Sequence, residues 1–118
     1  MYNNISEMVG KTVDVITVDK DSNIIEFAFR NGDIYRMLHV QDCCEDVYID
    51  DINGDVESFR GQVILSAVES SNVDYTRDLD GQTWTFYRIA CNRDFMVIRW
   101  IGTSNGYYSE SVDIVKIK

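Results

Sequence analysis

The sequence predicts a single antiparallel β-rich domain, all-β to α+β, built as a curved sheet or partly open barrel with one or two short helices. Three observations predict it. Proline is absent, while 7 tyrosines, 5 phenylalanines and many β-branched residues favour strands that pair without losing backbone donors. Short apolar stretches alternate with a period of two. Asn-Gly pairs and isolated glycines punctuate them as turn signals. With 118 residues, 45% hydrophobic and 26% charged, the chain has material for one core, so residues 1–118 read as one domain.

In chain order, residues 4–9 read as one or two helical turns, capped at Asn4 or Ser6 and stopped by Gly10. Residues 11–18 and 23–30 are strands joined through the polar residues 19–22, and the second sets Ile25, Phe27 and Phe29 on one face. Asn31-Gly32 predicts a two-residue hairpin turn with positive φ at both positions. The returning strand, residues 33–40, sets Tyr35, Met37 and His39 on one side and Ile34, Arg36 and Leu38 on the other. Residues 47–50 make a short strand, Asn53-Gly54 a second turn, and Asp55 caps a helical turn that Gly61 ends.

Residues 62–69 form a long apolar strand, and the polar residues 70–82 a mobile loop. Residues 83–91, 95–101 and 107–116 add strands of a meander, because the links 92–94 and 103–106 are short enough for hairpins. The expected core comprises Val15, Ile25, Phe27, Phe29, Val63, Leu65, Trp84, Phe86, Val97 and Ile101.

Lysine and arginine number 11 against 20 aspartates and glutamates, a net charge of −9. Such a chain repels a phosphate backbone, so direct nucleic-acid binding is excluded and a basic protein partner is favoured. Cys43 and Cys44 are neighbours whose side chains diverge in a strand, and Cys91 is the third cysteine, so a disulfide framework is not expected. With no basic leader and no long apolar run, the expected location is the cytoplasm, without membrane contact.

Chemistry concentrates in residues 39–55, HVQDCCEDVYIDDINGD. The carboxylates of Asp42, Glu45, Asp46, Asp50, Asp51 and Asp55 run uninterrupted by any lysine or arginine, and they form the candidate partner-binding face. His39, Cys43 and Cys44 are metal-ligand types and form an alternative metal site, but the spaced pairs that close a tetrahedral centre are missing. A calcium loop with Gly54 at its sixth position places Ile49 first and Arg60 twelfth, which excludes it. One histidine, no Gly-x-Ser-x-Gly elbow and no phosphate-cradling glycine loop leave no catalytic residue and no cofactor to assign. Tyr35, Trp84 and Tyr107 form a second alternative, an aromatic pocket for a small nucleotide-type ligand.

Three segments, YRMLHVQDCCEDVYIDDINGD, TWTFYRIA with FMVIRWIG, and SNGYYSESVDI, resemble a family of small uncharacterised proteins encoded by bacteriophages and their bacterial hosts. The likeness spans roughly residues 9–117, and its signatures are QDCCE at 41–45 and NGYYSESV at 105–112. It implies provenance rather than mechanism. Joined to the acidic charge, phage provenance leads to the expectation of a non-catalytic anti-defence inhibitor, of anti-CRISPR type, acting in the host cytoplasm. Its carboxylates would stand in for phosphates opposite the Lys and Arg clusters of a host nucleic-acid-handling protein. The oligomeric state stays open.

Overall fold

The computed structural model describes residues 4–41, 45–74, 81–104 and 111–118. Its strands are β1 (Val13–Asp19), β2 (Ile24–Phe29), β3 (Ile34–Leu38), β4 (Asp46–Asn53), β5 (Ile64–Asp74), β6 (Gly81–Cys91), β7 (Phe95–Ser104) and β8 (Asp113–Lys116). They form two four-stranded antiparallel sheets, ordered β1-β2-β3-β8 and β4-β7-β6-β5, and neither closes into a barrel.

In the first sheet, alternation does what the sequence says. Ile25, Phe27 and Phe29 on β2 are buried on one face, and Tyr35 and Met37 on β3 join them. The Asn31-Gly32 hairpin forms, but with a different turn. Gly32 alone of the pair has positive φ, at 98°. The Phe29 carbonyl accepts from Gly32 N–H at 3.0 Å, while Phe29 N–H donates to the Asp33 carbonyl at 2.9 Å. That is a three-residue loop ending in a left-handed glycine. The Asn31 side chain stabilises it by accepting from Asp33 N–H at 2.8 Å.

The second sheet departs further from expectation. β5, β6 and β7 form the meander, but β7 next pairs with β4, and β8 crosses to complete the first sheet through Met37↔Ile114 and its neighbours. Among the described residues β7 and β8 therefore do not pair with each other, and residues 105–110 of the expected link and strand lie outside the described residues. Val112 and Ile114 explain the crossing, since pairing with β3 buries both in the common core. Residues 70–74, expected in a loop, prolong β5 and pair as far as Asp74↔Gln82. Their run of mostly polar residues, SSNVD, carries no apolar alternation to mark a strand.

Of the expected core, Ile25, Phe27, Phe29 and Ile101 are buried, Val15, Trp84, Phe86 and Val97 are half-buried, and Val63 and Leu65 are exposed. The inner faces instead present Ile64, Ala67, Tyr87, Ile89, Met96, Ile98 and Trp100. A register shift between Ile64 and Ser66 turns Leu65 outward. In β6 and β7 both faces carry large apolar residues, and packing chooses between them.

Two 3-10 turns plug the sandwich. Ile5–Met8 is capped by Asn4, with Glu7 returning the bond in a capping box, and buries Ile5 and Met8. Val56–Phe59 is capped by Asp55 and buries Phe59. Full burial of a side chain of this size stabilises by about 1.5–3 kcal/mol, enough to hold turns this short. The sheets meet at an isolated Thr12↔Val63 bridge and through the Trp100 indole, which donates to Met37 Sδ at 3.2 Å.

Candidate functional site

The β3 strand aims His39 inward, and the chain returns six residues later with Glu45 turned toward it. His39 Nε2 lies 2.9 Å from Glu45 Oε2, and the two side chains keep only 5% and 1% of their solvent exposure. His39 Nδ1 lies 2.7 Å from the Ser111 carbonyl oxygen, an acceptor only, so Nδ1 carries hydrogen. Gln41 Nε2 donates to the Glu45 carbonyl. The histidine thus ties the exits of β3 and the entries of β4 and β8 into one knot.

This placement corrects two expectations. Glu45 is buried and hydrogen-bonded to His39, so it does not belong to an exposed partner-binding face. Both ring nitrogens of His39 are occupied, leaving no lone pair for a metal. Cys43 and Cys44 lie outside the described residues, as does Asp42. Among the described residues no three His, Cys, Asp or Glu side chains gather as a metal group would.

The remaining carboxylates spread along β4, an edge strand, and into the turn after it. Asp46, Asp51 and Asp55 are exposed. Asp50, at the β4 register shift, is half-buried and paired, since Arg99 Nε and Nη2 reach its Oδ2 at 2.6 and 2.5 Å. Arg99 also lies over the Trp84 ring at 5.5 Å. Asp50 is therefore largely neutralised, while Asp55 caps the following turn by accepting from Glu57 N–H at 3.0 Å. Among the described residues the acidic face reduces to the three carboxylates of Asp46, Asp51 and Asp55.

The aromatic pocket does not assemble. Tyr35 is buried on the inner face of the first sheet, its hydroxyl 3.5 Å from Glu7 Oε1. Trp84 is half-buried and sits on the outer face of the second sheet, opposite Ile101. Tyr107 lies outside the described residues.

The sequence reading missed a cleft of about 740 Å³ between the edge of β5 and residues 111–114, floored by the first 3-10 turn. Glu69 and Asp113 line it from opposite walls. Burial, then a hydrogen bond and charge from Glu69, then the charge of Asp113, push the Tyr87 hydroxyl far above the ordinary phenol range, so it stays a donor. No local pattern signals this pair, because the fold alone brings the two walls together. Among the described residues no helix is long and apolar enough to cross a membrane.

Residues 6–114 match the family model for a domain of unknown function, DUF7448, and the chain belongs to that family. No curated protein and no solved structure matches it.

Proposed function

We propose that this DUF7448 chain is a non-catalytic inhibitor of phage origin that occupies a basic, nucleic-acid-handling surface of a host defence protein, a CRISPR effector being the type candidate. The observation that carries the reading is the exposure of Asp46, Asp51 and Asp55 along one sheet edge and its capped turn, in a chain of net charge −9. A strand holds such carboxylates at fixed spacing, so they meet a Lys or Arg cluster at little entropic cost. The phage origin rests on the likeness of the QDCCE and NGYYSESV segments to phage-encoded proteins.

The test is affinity capture from host lysate with the wild type and with Asp46→Asn, Asp51→Asn, Asp55→Asn combined. Asparagine keeps shape and still caps the turn at position 55. The wild type should retain a basic nucleic-acid-binding protein, and capture should weaken steeply with salt, since exposed charge is screened beyond roughly 8 Å at physiological ionic strength. The triple variant should lose that protein. Equal capture by both forms, or capture of no such protein, sinks the proposal.

A further inference from the structure

The free edge of β5 already shows how it treats an extended segment. At its start Gly10 N–H donates to the Ile64 carbonyl at 2.8 Å and Ile64 N–H to the Lys11 carbonyl at 3.0 Å, an antiparallel pairing that continues the Thr12↔Val63 bridge. Beyond Ile64 that pairing stops. Among the described residues, 67–71 pair with β6 on one side only, and Ala67, Val68 and Glu69 line the cleft. An unpaired ladder of backbone donors and acceptors in a walled groove is a template for one more strand.

The size and chemistry of the groove narrow the occupant. Its main volume of about 740 Å³ lies against Ala67, Val68 and Glu69, and a smaller hollow of about 150 Å³ adjoins it over Glu69, Ser71 and, on β6, Thr83 and Thr85. Five strand residues span about 17 Å, room for an extended segment of similar length. The apolar floor is Ile5 and Ala67, both buried. Glu69 on one wall and Asp113 on the other supply negative charge, and among the described residues no lysine or arginine lines either hollow. Asp113 Oδ2 accepts from Val40 N–H at 3.2 Å, which holds that carboxylate in place.

We propose that this cleft receives an extended segment of another protein bearing lysine or arginine, which adds as a strand to the edge of β5 with a cation between Glu69 and Asp113. The site is separate from the acidic edge proposed above, because β4 and β5 are opposite edges of the same sheet. Backbone bonds to β5 supply affinity for any extended chain, and the paired carboxylates select a basic one.

The experiment is an amide NMR titration of the full chain with a capped hexapeptide of alternating valine and lysine. Its controls are the valine–glutamate counterpart, lysine methyl ester, and two copies of the lysine peptide N-methylated at alternate amides in one register or the other. The lysine peptide should move the signals of residues 67–71 and 112–114, leaving β4 unmoved. One methylated register should bind about tenfold more weakly, the other like the parent, because only alternate amides of an added strand face the ladder. Glu69→Gln with Asp113→Asn, which keeps acceptors for Tyr87 and for Val40 N–H, should weaken the lysine peptide about tenfold. No shift at millimolar peptide, equal shifts with the glutamate peptide or the methyl ester, indifference to both methylations, or movement confined to β4 would each overturn the site. None of these results bears on capture through Asp46, Asp51 and Asp55, whose own variant tests that reading.

Discussion

His39 and Glu45 share a buried hydrogen bond of 2.9 Å, and the other nitrogen of His39 donates to the carbonyl of Ser111, 72 residues on in the sequence. Removing one member takes a buried hydrogen-bond partner from the other. His39→Ala should therefore destabilise by about 3–5 kcal/mol in urea unfolding. His39→Phe combined with Glu45→Leu should cost less than His39→Ala alone, since no buried carboxylate then loses its histidine. A double variant weaker than the single one would show that the pair's net contribution, not the carboxylate's lost bond, sets the loss.

Lys11 and Asp33 should shape the pH limits of stability. The Asp33 hydrogen bond, at 2.7 Å, raises the Lys11 pKa above its ordinary value, and the same bond lowers that of Asp33. A depressed carboxylate stabilises the fold above its ordinary pKa, about 4, and loses that contribution as pH falls through the lower folded value. A raised lysine stabilises below its ordinary pKa, about 10, and loses it as pH rises through the higher folded value. Asp33→Asn should flatten both limbs of a urea-midpoint profile against pH. Unchanged limbs would remove the pair from the account.

Two glycines separate backbone strain from crowding. Gly32, at φ 98°, has open space where a Cβ would go, so Gly32→Ala should cost only about 1 kcal/mol of left-handed strain. Gly54, at φ 128°, would set a Cβ 2.7 Å from Met96 Cβ and 2.9 Å from the Phe95 carbonyl oxygen. Gly54→Ala should lose more than twice as much, with crowding added to strain. Equal losses, read by thermal unfolding, would mean that the Phe95–Met96 backbone yields.

Neighbouring residues on β5 test its bulge. Ile64 is fully buried and Leu65 is 57% exposed. Ile64→Ala should cost about 2–5 kcal/mol and Leu65→Ala less than about 0.5. The reverse order would place the wrong face inward.

In the first sheet β1, β2 and β3 were legible because their signals are local. Ile25, Phe27 and Phe29 fall on one face at a period of two, and Asn31-Gly32 marks the reversal, although the side-chain bond from Asn31 selects a longer loop than the dipeptide suggests. The second sheet was not, since Trp84 and Phe86 compete with Tyr87 and Ile89 for the core at equal spacing. Nothing near Leu65 announces the bulge that exposes it. The acidic stretch was visible as composition, but its division into buried Glu45, paired Asp50 and exposed Asp46, Asp51 and Asp55 depends on His39 and Arg99 arriving from other strands. Pairing across long separations has no local code.

The crossing of β8 also sets an order of events. β3 can find β2 at once through their short hairpin, but its other edge finds a partner only after β4, β5, β6 and β7 have been threaded. Closing so long a loop carries a large entropic cost before any contact rewards it, which makes this step a natural bottleneck for folding. During synthesis, β3 thus waits as an open template while the ribosome makes the entire opposite layer. The interval is a window for mispairing that the finished structure no longer displays.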